Sequence, residues 1–257
     1  MANFIDLVAK LGDPNEAPGG NIFLRRALSL LPYPNGALDI LDIGSNTGSS
    51  TITIAEHFEA SRITGIDIEE AMTKIAIKNI KRAKQNSRIS FDTGDAQAMP
   101  YQNESFDLVV SSGSFAFIEK PEVAIEECYR VLKPDGFLIA TEYFYKDTPP
   151  RALLNKITQH IDVDVSKFTF DYWVDAFINS GLGLEGIEQS PPPIFSPKIR
   201  LAQQESIKRK LGQANANKIL EMDLDFIDNN KYLTIGTFLL RKPGVIETFG
   251  ADRPTRN

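Results

Sequence analysis

Asp42, Gly44 and Gly48 stand in Asp42-Ile43-Gly44-Ser45-Asn46-Thr47-Gly48, where an apolar stretch ends in a turn nearly bare of side chains. Glycine has no Cβ and tolerates positive φ, so a nucleoside or phosphate can touch this backbone beside the helix N-terminus that follows. About twenty residues on, where a ribose-binding loop needs an acid at the end of the second strand, Asp67 closes Arg62-Ile63-Thr64-Gly65-Ile66-Asp67. Its carboxylate oxygens can accept from both ribose hydroxyls, each charge-assisted bond contributing roughly 1.5–3 kcal/mol where water is excluded. An isolated Asp at a strand-helix junction more often caps the helix, here one starting near Glu69; the distance from Gly48 favours the ribose clamp. A third stretch, Ile89-Ser90-Phe91-Asp92-Thr93-Gly94-Asp95-Ala96, alternates into a Gly-Asp turn. Two other nucleotide loops are excluded. A dinucleotide fingerprint requires glycine where Asn46 and Ser49 stand, and a P-loop requires a Gly-Lys-Ser or Gly-Lys-Thr that does not follow.

Proton chemistry has fewer candidates. Glu142 follows an apolar strand, where a pocket should lie, and suits a general base or the binding of a cationic amine. The same position also suits a carboxylate satisfied by backbone N–H groups. Ser111 and Ser112 end another strand. Of the two histidines, His160 lies in a helical stretch able to cover the site and is the second catalytic candidate, whereas His57 reads as surface or packing. Asp162 and Asp164 are too few for a hard cation, and neither histidine joins a cysteine or a second histidine at ligand spacing, so no metal site is expected.

The elements that must position these groups alternate. Leu38, Ile40, Leu41 and Ile43 form a short buried strand, followed by a helix with Ser49 or Ser50 as N-cap. Ser105-Phe106-Asp107-Leu108-Val109-Val110-Ser111 reads as a β-branched strand with Asp107 and Ser111 near its ends. A helix then carries Arg130 and Lys133 in its last turn, stops at Pro134 and turns at Gly136 into a strand over Phe137 to Phe144. Helical stretches around Leu153 to Ile161 and Asp171 to Asn179 lead to strands near Leu184 to Ile187 and Lys231 to Leu240. Pro18-Gly19-Gly20-Asn21 turns into a helix over Ile22 to Leu31, which suits a flap or a cover for the sheet edge. Phe115 and Phe117 either line an apolar acceptor pocket or lie in the core, and Trp173 with Tyr172 and Phe177 packs a helix on the sheet.

In order, Asp42 to Gly48, Asp67, Gly94-Asp95-Ala96, the Ser105 to Ser111 strand and Arg130-Val131-Leu132-Lys133-Pro134-Asp135-Gly136 resemble the motifs of the class I S-adenosylmethionine-dependent methyltransferases, of the small-molecule type. The resemblance covers about residues 36 to 145. It implies a Rossmann-like α/β fold: a seven-stranded, mostly parallel sheet with an antiparallel last strand, helices on both faces and helical cap insertions. It implies S-adenosyl-L-methionine as methyl donor, held by Asp42, Gly44, Ser45, Asn46, Gly48, Asp67, Ile68, Asp95, Ala96 and Ser111. Within that set Asp95 accepts from the adenine amine and the Ala96 N–H donates to a ring nitrogen. Ser45 and Asn46 replace the smaller residues usual in this loop, so they meet the methionine portion or tune affinity. The resemblance also covers aminopropyl transfer, which calls for an acid-rich polyamine site not found here, and a cofactor-binding module without turnover.

At 257 residues the chain can bury one large core, and its alternating elements favour a parallel sheet. One domain is expected over residues 1–244, with its core at 36–145, cap segments at 1–35, 146–180 and 190–230, and a loose tail at 245–257. The segment from Ser190 to Asn230 is long for a connection and suggests a lid or a homodimer contact, a solvent-exposed decoration being the alternative. A net charge of −6, from 28 basic and 34 acidic residues without a basic run, argues against nucleic acid. The single Cys128, the absence of a long apolar run and an N-terminus without a basic leader suggest a cytoplasmic protein that enters no membrane. A small-molecule acceptor, methylated on oxygen or nitrogen, is the expected partner.

Overall fold

The computed structural model describes Leu7 and residues 20–33, 37–82, 87–192 and 205–244. Its elements in chain order are α1 (Asn21–Leu28), β1 (Asp39–Ile43), α2 (Ser49–His57), β2 (Arg62–Asp67), α3 (Glu70–Arg82), β3 (Ile89–Thr93), β4 (Phe106–Ser112), α4 (Pro121–Val131), β5 (Leu132–Tyr145), α5 (Arg151–Ile161), α6 (Phe170–Asn179), β6 (Gly183–Ser190), α7 (Gln213–Asn229) and β7 (Leu233–Arg241). They form a 7-stranded sheet in the order β3-β2-β1-β4-β5-β7-β6. The first five strands of that order pair in parallel, and β7 runs antiparallel to both β5 and β6. This is the Rossmann-like arrangement expected from the sequence.

Ile40, Leu41 and Ile43 on β1 and Leu108, Val109 and Val110 on β4 are at most 1% exposed, as central parallel strands covered on both faces must be. Alternation sorts them. Leu41, Ile43 and Val109 join Leu138, Ile157, Trp173 and Phe177 on the α4–α6 face, while Ile40, Leu108 and Val110 join Leu24, Ile54 and Ile80 on the α1–α3 face. Each fully buried Leu or Ile contributes about 1.5–3 kcal/mol of transfer free energy. A third cluster, Leu7 with Ile207, Leu211, Ala216, Ile219 and Met222, lies beneath the long insertion before β7. That insertion is fastened to α5, where Asp225 meets Lys156 at 2.8 Å and His160 at 2.9 Å, and to the end of β5, where Tyr145 donates to Asn229 at 3.1 Å.

β1 pairs with β2 on one side and β4 on the other, so the chain reverses its direction of winding at β1. The carboxyl ends of β1 and β4 therefore open a crevice, the place where ligands bind in such sheets.

Three local expectations need correction. Gly48, at φ 87°, is the N-cap of α2; neither Ser49 nor Ser50 caps it, because the Ser50 hydroxyl is drawn to the buried Asp42. The helix carrying Arg130 ends at Val131, and Lys133-Pro134-Asp135-Gly136 already lies in β5 as an irregularity, with Phe106 facing Leu132 and Leu108 facing Phe137. Lys133 is held there by Asp107 at 2.8 Å and Asp39 at 3.3 Å, which ties it to the strands and not to a helix end. The N-terminal helix stops at Leu28, short of Leu31. The tail at 245–257, residues 193–204 of the insertion and, apart from Leu7, the part of the 1–35 cap segment before residue 20 lie outside the described residues.

Candidate functional site

The turn after β1 is closed by its own backbone, with Gly48 N–H donating to Ser45 O at 2.8 Å and Ser45 N–H to Ile66 O at 3.1 Å. Gly44 at φ 64° and Gly48 at φ 87° occupy the left-handed region, which glycine enters without strain. Asn46 shares that region at φ 47°, as Asn does more readily than most residues, and its Oδ1 accepts the Thr47 N–H at 2.7 Å. The Ser45 hydroxyl is buried with no hydrogen-bond partner. Gly65 on β2 makes room for this loop, since a Cβ there would fall 2.5 Å from the Phe91 ring and 2.8 Å from Ser45 Cβ.

Asp42 lies beneath the turn. Its Oδ2 accepts from Ser50 Oγ at 2.7 Å and Thr51 Oγ1 at 2.5 Å, binding the strand end to the first turn of α2, while Oδ1 is buried without a partner. Burial pushes this carboxyl up to about 6, against the pull of the two hydroxyls. Asp67 joins three motifs. Its Oδ2 accepts the Asn46 N–H at 2.8 Å, its Oδ1 the Glu69 N–H at 2.9 Å, and its backbone carbonyl the Gly94 N–H at 2.9 Å. Each carboxylate oxygen has a second lone pair, so the side chain keeps capacity for two more donors. Desolvation raises the Asp67 pKa and the two N–H bonds oppose it. Ile68 beside it is 66% exposed, an apolar surface next to the loop of Asp95 and Ala96. Asp95 Oδ1 accepts the Gln97 N–H at 2.8 Å, and Ala96 is buried.

A second group of polar side chains collects at the ends of β4 and β5. Glu142 is fully buried; its Oε1 accepts from the Phe115 N–H at 3.2 Å and from Ser111 Oγ at 3.4 Å, and its Oε2 has no partner. Ser111 Oγ lies 2.9 Å from Ser114 Oγ, which donates to Ile43 O at 2.8 Å. Ser114 rests on the glycine turn so closely that a Cβ on Gly44 would fall 2.4 Å from its Cβ. Burial pushes the Glu142 carboxyl up to about 8, and only neutral donors oppose the shift. The site thus joins an aspartate with lone pairs to spare, a bare loop and a buried carboxyl whose pKa is raised.

Residues 41–140 match a family model described as methyltransferase domain. Over those residues the chain is similar to that domain. An uncharacterized protein of Haemophilus influenzae is 28% identical over 199 residues, which cover 75% of this chain and 77% of that one. A 2-methyl-6-phytyl-1,4-hydroquinone methyltransferase of Oryza sativa subsp. japonica is 33% identical, but over 40% of this chain and 30% of its own length. Relatives named for a methyltransferase activity are matched over 30 to 53% of their length. Among solved structures, a Haemonchus contortus phosphoethanolamine N-methyltransferase 2 with phosphomonomethylethanolamine and S-adenosylhomocysteine superposes with a TM-score of 0.72 at 18% identity, over 93% of this chain and 57% of that one.

Around the matched core the remaining candidates separate. No hydrogen bond joins His160 to the Glu142 group; its Nε2 faces Asp225 at 2.9 Å and its ring packs near Phe226, beside a cavity of about 320 Å³ lined by Leu153, Lys156, Asp225 and Tyr232. His57 packs on Phe58, and desolvation lowers its pKa. Asp162 ends α5 at φ 60° and Asp164 caps a short turn through Ser166, so each has a local structural role. Phe115 is buried against Phe177, a core residue, while Phe117 is exposed. Trp173 stacks on Phe168 and donates to Tyr143 O at 3.1 Å. Sequence reasoning missed Ser114 and Gly65. A glycine inside a strand was the available signal for Gly65; Ser114 follows Gly113, whose φ of 81° makes the tight turn that folds it back.

Proposed function

We propose that the chain is an S-adenosylmethionine-dependent methyltransferase acting on the oxygen or nitrogen of a small-molecule acceptor, built as one domain in which segments 1–35, 146–180 and 190–230 cap the core. The observation that carries the cofactor reading is the Asp67 carboxylate, held by Asn46 N–H at 2.8 Å and Glu69 N–H at 2.9 Å with lone pairs left over. The donor set fits: an acid for the ribose, the exposed Ile68 and Asp95–Ala96 for the adenine, and a left-handed Gly44 with the unpartnered Ser45 hydroxyl for the methionine portion. Bound S-adenosylmethionine supplies an electrophilic methyl group on a cationic sulfur. The protein's part is to align an acceptor lone pair behind that methyl, an effect worth roughly 7–11 kcal/mol, and to take up the acceptor's proton. Glu142 is the group we assign to the proton, because it is buried at the strand ends with one oxygen unpartnered. His160 is the second candidate, and its role requires that the Asp225 contact open. The insertion at 190–230 is assigned to acceptor closure or to a homodimer contact, which sedimentation at several concentrations distinguishes.

The test is transfer of labelled methyl from S-adenosylmethionine to a panel of phenols, hydroquinones, carboxylic acids and amines. Labelled product with an O–CH3 or N–CH3 bond supports the proposal. Methylation only on carbon contradicts the acceptor assignment, and cofactor binding without turnover across the panel favours a binding module.

A further inference from the structure

Glu142 is buried deeper than any ordinary base needs to be, and its surroundings are neutral. Its Oε1 takes the Phe115 N–H and the Ser111 hydroxyl, the Ala116 N–H also favours its charged form, and its Oε2 has no hydrogen-bond partner. From Ser111 the contact continues to Ser114 Oγ, at 2.9 Å, and Ser114 rests on Gly44 and bonds Ile43 O. Two hydroxyls therefore separate this acid from the glycine turn. Among the described residues no cation shifts it: β7 faces it with Gly236 and β4 with Ser111. On α6, Tyr172 is the titratable group that feels its charge, and the Tyr172 hydroxyl is already held by Glu122 at 2.6 Å. Asp42 is the other buried acid of the crevice, and its hydrogen bonds are to Ser50 and Thr51. Burial alone holds the Glu142 proton up to about 8.

We propose that Glu142 reads the charge on the cofactor sulfur: it gives up its proton when S-adenosylmethionine binds and recovers one when methyl transfer leaves a neutral thioether. The inference rests on the cofactor reading above. A positive charge placed in this crevice favours the ionised carboxyl, so binding of the sulfonium form sends one proton to solvent. In the transfer step the acceptor lone pair forms the new bond to the methyl carbon, and the carbon–sulfur bond pair returns to sulfur. The acceptor's O–H or N–H proton passes to the Glu142 carboxylate, which becomes neutral as the sulfonium charge vanishes. Its basicity rises as that charge is lost. The product S-adenosylhomocysteine then faces an uncharged acid, so its affinity gains nothing from ionisation of Glu142, whereas that of the substrate does.

The experiment is calorimetric titration of the full chain with S-adenosylmethionine and with S-adenosylhomocysteine, from about pH 6.5 to about pH 9, each in two buffers of different ionisation enthalpy. Groups common to both ligands, and the Asp42 carboxyl, largely cancel in the ratio of the two dissociation constants. We expect that ratio to shift about tenfold toward S-adenosylmethionine as pH rises, with proton release on binding S-adenosylmethionine near neutral pH and little on binding the product. In Glu142→Gln the ratio is expected to be flat. A ratio independent of pH in the wild-type protein overturns the inference even if this variant fails to fold, and so does an equal slope in a folded Glu142→Gln. Failure of both ligands to bind at every pH overturns the cofactor reading along with it, a result distinct from binding without a slope.

Discussion

Two buried carboxyls of the crevice differ in how their burial is matched. Asp42 spends one oxygen on two hydroxyls of α2, and its pKa rises to about 6; Glu142 is opposed in its burial by the Phe115 N–H at 3.2 Å, the Ala116 N–H and a long hydroxyl contact at 3.4 Å, and rises to about 8. Unfolded, Glu142 would ionise near 4.5, so between 4.5 and about 8 the folded state binds the extra proton. Its contribution to stability is therefore full below pH 4.5 and is lost progressively as pH rises to about 8. Each tenfold difference in proton affinity between the folded and unfolded chain corresponds to about 1.4 kcal/mol. Glu142→Gln removes the titration. Its melting temperature relative to wild type is expected to increase from pH 5 to pH 8, and thermal unfolding at those two values checks it; a constant difference would show that Glu142 titrates normally.

At the scale of the element, the strand, turn and helix from Asp39 to His57 act as one unit, because Asp42 ties β1 to α2 and Ser114 closes over Gly44. Gly44→Ala places a Cβ 2.4 Å from Ser114 Cβ at a φ of 64°. We expect a loss of about 1–3 kcal/mol in stability and more than tenfold in cofactor affinity, read by denaturant unfolding and calorimetry. Wild-type affinity in a folded variant would remove this turn from the site. Much of this unit was legible in the chain. Gly44, Gly48 and Asp67 stood out as candidates by type and spacing, since a bare turn and an acid at a strand end are local requirements, whereas Asp95 was a candidate only through the family resemblance. Ser114 was not legible: its role depends on Gly113 folding it against Gly44, a contact 70 residues away in sequence. Lys133 misled for a related reason, as its partners Asp39 and Asp107 lie on other strands. His160 was legible as a cap residue, but its pairing with Asp225 depends on an insertion whose docking no local pattern specifies.

Across the whole molecule, the sheet carries the candidate cofactor residues, α5 packs on it through Ile157 and Ile161, and α7 is joined to α5 through Asp225 to Lys156 and His160. Asp225→Ala is expected to raise hydrogen exchange across Gln213–Asn229 and to weaken acceptor binding, leaving S-adenosylmethionine affinity within about twofold. Unchanged exchange would show that this pair does not hold α7 in place. Among the described residues no helix is long and apolar enough to cross a membrane. The central claim concerns the core itself, and titration of S-adenosylmethionine into wild type and Asp67→Ala tests it most directly. Saturable binding is expected at one site per chain, weakened more than tenfold in Asp67→Ala with the melting temperature nearly unchanged. No binding to the wild type, or the same dissociation constant in both proteins, would contradict it.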